Sequence, residues 1–165
     1  MRLRTKLMTI AVMLGAVQAA NASDWGVYGG DTGNTRFSAN TQVNAGNVSK
    51  LSVKWALQLG TNRSQESTPI IVGDTMYVTS SFGPKNVFAV NAKTGEVKWR
   101  YSPEIPKGVD QFACCDVNSR GVSYSDGKIF FGTLDARLIA LDAKTGKEVW
   151  ASKVVDYTQG SVITS

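Results

Sequence analysis

Two stretches of this 165-residue chain repeat one another: VFAVNAKTGEVKW at 87–99 and LIALDAKTGKEVW at 138–150. At a constant offset of 51, Ala89 aligns with Ala140, Asn91 with Asp142, Gly95 with Gly146 and Trp99 with Trp150. A period of about 40–50 residues marks stacked or radially arranged β units. The shared core A-x-[ND]-A-K-T-G-x-x-x-W reads as a hairpin. An apolar strand enters a turn around Lys93, Thr94 and Gly95, and the returning strand carries the tryptophan. A second hairpin precedes each copy. TPIIVGDTMYVTSS (68–81) turns at Gly73 and Asp74, and GVSYSDGKIFFGTL (121–134) turns at Asp126 and Gly127. Two hairpins per period make four strands, the composition of a propeller blade.

The fold class expected is therefore all-β, a β-propeller. A third, degenerate unit is expected upstream, where residues 47–51 lead into a strand KWALQL (54–59) with Trp55, after one short helical turn within 43–51. Trp55, Trp99 and Trp150 occupy one place in each unit, so they are expected to dock between neighbouring units, with the repeat glycine admitting the close approach. About three such units fit into residues 23–165, whereas propellers close with typically 4–8 blades. Three units would leave unpaired edges. The chain is expected to be the N-terminal part of a longer propeller; homo-oligomerisation is the other route to closure.

The first residues read as a targeting leader. Arg2, Arg4 and Lys6 precede the apolar run LMTIAVMLGAV (7–17), and Ala20-Asn21-Ala22 supplies a cleavage site before Ser23. The run is shorter than the roughly 20 residues needed to span a bilayer. The expected domains are thus a signal peptide at 1–22 and a propeller segment at 23–165, with export to the periplasm. The leader holds three of the 18 Lys and Arg residues and none of the 13 Asp and Glu, so the formal charge of +5 falls to about +2 after cleavage. The remaining charges alternate in sign, which argues against a nucleic-acid partner. With no histidine in the sequence, a His-based triad, a His-ligated zinc and a c-type haem site are excluded within these residues.

The only two cysteines, Cys114 and Cys115, are adjacent in QFACCDVNSRG (111–121). In an oxidising compartment they are either a vicinal disulfide or two free thiols. Asp110, Asp116 and Asn118 lie around them, too weak a cluster to assign as a calcium site.

Taken together, the blade hairpins, SQESTP at 64–69, CCDVNSRG at 114–121 and the N-terminal stretches DWGVYGGDTGNTRFS, QVNAGNV and LSVKW resemble the exported quinoprotein alcohol dehydrogenases of the methanol/ethanol type. The resemblance covers the mature chain but only the first part of such an enzyme, and it implies an eight-bladed propeller when complete. It implies pyrroloquinoline quinone (PQQ) as cofactor with Ca²⁺ or a lanthanide ion, a small primary alcohol as substrate, and a cytochrome c as electron acceptor. It also implies a Cys114–Cys115 disulfide lying against one face of the quinone ring. Consecutive Cα atoms are about 3.8 Å apart, below the roughly 4.4 Å lower edge for ordinary disulfides. Such a crosslink closes almost no loop, so stabilisation of the fold is a poor reason for it.

Arg120 matches the family arginine that pairs with a cofactor carboxylate, a task suited to a planar guanidinium. Glu66 matches a glutamate on the cofactor's polar rim, and Thr164 a threonine whose hydroxyl bonds the cofactor. Read by residue type alone, Arg120 is also an ordinary ion-pair residue and Glu66 a solvated charge. The family's metal ligands, catalytic base and second ring-stacking residue lie downstream, so no catalytic residue or metal ligand is assigned within 1–165, and this piece alone is expected to be inactive. The competing expectations are a non-enzymatic propeller for envelope assembly or protein binding, built from the same repeats, and a quinoprotein acting on a sugar or polyol.

Overall fold

A computed structural model describes residues 24–61, 63, 65–80, 87–113 and 117–164. The leader expected at 1–22 and both cysteines lie outside the described residues. Among the described residues, eight strands form two antiparallel four-stranded sheets: β1 (Ile70–Val72), β2 (Thr75–Thr79), β3 (Val87–Asn91) and β4 (Val97–Tyr101), then β5 (Ser123–Ser125), β6 (Lys128–Gly132), β7 (Arg137–Asp142) and β8 (Glu148–Lys153). Each sheet is a meander in sequence order. Both sheets carry a register shift at the same repeat position, between Ala89 and Val90 and between Ala140 and Leu141. It sets Trp99 opposite Ala89 and Trp150 opposite Ala140.

The third unit is present only in part. Residues 51–59 pair with no strand among the described residues, so the strand expected at 54–59 is corrected to a segment without strand structure. Its apolar alternation is nevertheless used. Trp55, Leu57 and Leu59 pack against Val78, Phe88 and Val90 of the first sheet. The helical turn expected within 43–51 is a 3-10 turn at Val48–Lys50.

The inter-sheet core explains the near-continuous apolar run of β3. Val87 and Ala89 join Ile70 and Tyr77 against Ile129, Phe131, Ile139 and Leu141 of the second sheet, while Phe88 and Val90 face the Trp55 segment. Strands covered on both faces lose the polar half of their alternation. Each large aliphatic side chain buried here contributes about 1.5–3 kcal/mol.

Tryptophan docking joins the units at Trp55 and Trp99 as the repeat suggests, whereas Trp150 is exposed and covers no glycine turn among the described residues. The Trp55 ring lies over Gly95, and the Trp99 ring over Gly146. A Cβ at either glycine would come within 2.7 or 2.6 Å of the indole. Both glycines also have positive φ, +79° and +71°, so the turn and the ring demand the same residue. Each indole Nε1 donates to the hairpin it covers, Trp55 to the Ala92 carbonyl at 3.0 Å and Trp99 to that of Ala143 at 2.9 Å. The turns are held from within. The Asn91 side chain accepts from the amides of Lys93 and Thr94, and the Asp142 carboxylate accepts from the amide and hydroxyl of Thr145. Those bonds hold the Asp142 carboxyl below its usual range.

Tyr101 in β4 donates its hydroxyl to Glu148 in β8 and sets its ring edge-on to Phe131. Burial, reinforced by this bond to a carboxylate, pushes the phenol up to about 12.

Three outcomes are expected of the full-length protein. Gly146→Ala inserts a methyl into the Trp99 ring at a positive φ and should cost upwards of about 2 kcal/mol in a thermal melt followed by tryptophan emission. Gly127→Ala, at φ +70° with open space around it, meets only backbone strain and should cost about 1 kcal/mol. The Tyr101 phenol gives a contribution fully present below its unfolded pKa near 10 and lost as pH rises through about 12. The melting temperature should therefore fall over that window, and Tyr101→Phe should remove this part of the fall.

Candidate functional site

The candidate site lies where three chain segments enter from one end of the sheets. Residues 65–69 lead into β1, residues 117–122 lead into β5, and residues 161–164 follow the second sheet. Thr68 and Gly121 form a parallel bridge. The Thr68 amide donates to the Arg120 carbonyl at 3.0 Å, and the Arg120 amide donates to the Thr164 carbonyl at 2.6 Å. Arg120 is thus clamped by its backbone between the other two segments.

Two glycines make this convergence possible. Gly121 has φ +129°, and a Cβ there would fall 2.7 Å from the Thr68 carbonyl oxygen. A Cβ on Gly132, at the end of β6, would lie 2.0 Å from Ile163 Cγ2, so the missing side chain seats Ile163 and brings Thr164 to Arg120. Further polar bonds tie the first segment to β2. The Thr79 amide donates to Ser67 Oγ at 3.1 Å, and Gln65 Nε2 donates to the Thr79 carbonyl at 2.6 Å.

The side chains predicted from sequence come together here. Arg120 Nη2 lies 3.3 Å from Glu66 Oε2, and Arg120 Nη1 donates to Thr164 Oγ1 at 2.6 Å. Cys114 and Cys115 lie outside the described residues. The residues flanking that segment, Ala113 and Val117, pack in one small cluster with Leu134 and Val162. Asp110 is exposed in a 3-10 turn at Val109–Phe112, whereas Asn118 is buried.

Beside the Glu66–Arg120 pair is a pocket of about 550 Å³, lined also by Tyr28, Thr68, Val122 and Phe130. One fixed guanidinium, a neighbouring carboxylate, hydroxyls and an apolar, aromatic wall suit a flat ligand that carries carboxylates. The side chains of Arg120 and Glu66 are 44% and 41% exposed, so as an ion pair they add no more than about 1 kcal/mol to stability. Sequence reasoning gave no role to Tyr28. Its signal was the turn-rich GVYGGDTGN (26–34), whose position beside β1 and β5 depends on long-range pairing.

Repeated four-stranded sheets docked by tryptophan define a segment of a β-propeller, with a pocket of charged and aromatic side chains beside the converging segments. The chain belongs to the PQQ family of glucose/ethanol/alcohol dehydrogenase β-propeller domains, which matches residues 25–154. It is 47% identical over 128 residues to the dehydrogenase subunit of the alcohol dehydrogenase (quinone) of Gluconobacter oxydans, covering 78% of this chain and 17% of that protein. It is 40% identical over 165 residues to the lanthanide-dependent methanol dehydrogenase of Methylacidiphilum fumariolicum, covering 92% of this chain and 27% of that protein. Among solved structures, a europium-containing methanol dehydrogenase superposes with a TM-score of 0.82 at 42% identity, over 87% of this chain and 25% of that one. The chain therefore spans roughly a sixth to a quarter of the length of these relatives.

A double-mutant cycle with Glu66→Gln and Arg120→Gln in the full-length protein should give a stability coupling below about 1 kcal/mol that fades towards zero in 1 M salt. A coupling of several kcal/mol, read by denaturant titration, would mean the pair serves the fold.

Proposed function

We propose that this chain is the N-terminal part of an exported, PQQ-dependent dehydrogenase that oxidises primary alcohols to aldehydes, and that it forms part of the cofactor pocket. The observation that carries the reading is the meeting of Glu66, Arg120 and Thr164 on three separate segments beside one pocket. Names among the relatives support an alcohol substrate and a cytochrome acceptor. They include a lanthanide-dependent methanol dehydrogenase and a 1-butanol dehydrogenase (cytochrome c) from Thauera butanivorans, 39% identical over 147 residues. The leader at 1–22 supports a periplasmic location, where a vicinal disulfide would persist.

When bound, PQQ supplies an ortho-quinone able to accept two electrons from the alcohol carbon. Arg120 binds a ligand carboxylate through one edge of its guanidinium, while Thr164 and Glu66 fix the plane of that group. Thr164 Oγ1, already accepting from Arg120, keeps its own proton available for a ligand oxygen. A disulfide between Cys114 and Cys115, the pairing the resemblance implies, would give a stiff face to the ligand ring. Oxidation of a primary alcohol to an aldehyde releases two electrons and two protons, and the electrons pass singly to a cytochrome c. The Ca²⁺ or lanthanide ligands and the catalytic base belong to the protein beyond these residues.

The test uses the full-length protein purified after export. Its bound PQQ, measured by absorbance, should fall at least about tenfold in both Arg120→Ala and Cys115→Ala. Unchanged cofactor content in both variants would overturn the pocket assignment.

A further inference from the structure

The N-terminal loop over residues 26–36 is built as a rigid bracket, and its geometry directs one aromatic side chain to the pocket. Its stem is tied to the first strand of both sheets. Trp25 exchanges backbone bonds with Ile71 of β1 at 2.6 and 2.9 Å, and the Tyr124 amide of β5 donates to the Gly26 carbonyl at 3.1 Å. The loop closes on itself where the Arg36 amide donates to the Gly29 carbonyl at 2.9 Å. Asp31 accepts from the amide and hydroxyl of Thr35, which hold its carboxyl below the usual range. Gly30, at φ +86°, leaves room for the Trp25 ring, which a Cβ there would approach to 2.9 Å. Arg36 itself is held at φ +53°, a region that non-glycine residues seldom occupy.

That backbone puts the Arg36 guanidinium 5.0 Å from the centroid of the Tyr28 ring, with Nη2 donating to the Tyr28 hydroxyl at 3.4 Å. Tyr28 is 54% exposed and lines the pocket. An exposed cation–π contact adds only about 0.5–1 kcal/mol to stability, little to set against two non-glycine residues, Asn34 and Arg36, in the left-handed region. The arrangement is better explained by what it offers a ligand. Arg120 shares its charge with Glu66, whereas Arg36 has no carboxylate within ion-pair distance among the described residues. An anionic ligand in the pocket would therefore meet an arginine paired with Glu66 on one side and, behind Tyr28, a guanidinium without an ion pair among the described residues.

We propose that Tyr28 is a ligand-contacting wall of the pocket and that Arg36 is its positioning residue, fixing the ring and holding a positive charge behind it. This rests on the reading that the Arg120 pocket takes a planar polycarboxylate. Tyr28 offers ring surface for the planar part, and Arg36 raises the local concentration of the anion.

The experiment titrates PQQ into the full-length apoprotein, with tryptophan quenching and cofactor absorbance as readouts independent of turnover. Arg36→Asn removes the charge while tolerating φ +53°. It should weaken binding about fivefold to tenfold and flatten its salt dependence. Tyr28→Leu should weaken binding about tenfold, and Tyr28→Phe should keep it within about threefold of the parent. Arg120→Gln serves as the reference. If Arg120→Gln loses binding while Arg36→Asn and Tyr28→Leu bind as the parent does, this proposal is overturned and the pocket reading stands. If Arg120→Gln also binds normally, both are overturned.

Discussion

The contact on which the rest depends is an indole laid across a glycine turn. Trp99 belongs to the first sheet, yet its ring and its N–H are both satisfied by the hairpin of the second, at Gly146 and the Ala143 carbonyl. Trp55 makes the same contact one unit earlier, with Gly95 and Ala92. Apolar packing alone fixes the distance between sheets but leaves them free to slide. A directional hydrogen bond combined with a sub-van-der-Waals demand for glycine removes that freedom, because the ring fits at one register only. Relative rotation of the sheets is thus set by the repeat itself, as is the alignment of their ends.

Aligned ends are what create the site. Once the sheets share a register, residues 65–69 and 117–122 must run side by side, and their bridge at Thr68 and Gly121 follows. Residues 161–164 reach the same place because Gly132 vacates the space that Ile163 fills. Glu66, Arg120 and Thr164 are 54 and 44 residues apart in sequence, and no local structure brings them together. Their meeting at 3.3 and 2.6 Å is a product of blade packing. A change at a docking glycine therefore acts on the pocket through register, at a distance from any ligand.

How much of this was legible in the chain depends on where each signal resides. The hairpins at 87–99 and 138–150 were readable because turn chemistry is local, and the glycine and tryptophan of each copy marked the docking without any coordinate. The segment 54–59 was expected as a sheet strand and is not one; Trp55, Leu57 and Leu59 do share one partly buried face, but a period of two reports a face and is silent about a pairing partner. Glu66, Arg120 and Thr164 were nameable only through the resemblance, since a lone glutamate or arginine in a loop has no pattern of its own. Tyr28 and Arg36 were missed outright. Their meaning depends on Trp25 reaching Ile71, a pairing across 46 residues that no local periodicity encodes.

Charge balance connects these observations. A pocket for a polyanion lined by bare arginines would repel itself and recruit any passing carboxylate. Here Glu66 holds Arg120 in a half-exposed pair that adds little to stability, so the guanidinium is oriented without being strongly committed. Thr164 takes a second edge of the same group, which fixes its plane. On the proposed reading, a ligand carboxylate would meet an arginine already oriented, and its two neighbours, one neutral and one compensating, would have done the ordering that binding otherwise requires. The same logic explains why a guanidinium without an ion pair among the described residues is placed on a separate loop. Arg36 is held against an aromatic ring in place of a carboxylate, and the ring leaves its field unquenched. On the proposed reading, orientation of the ligand falls to Arg120 and its two partners, and attraction to Arg36 behind Tyr28.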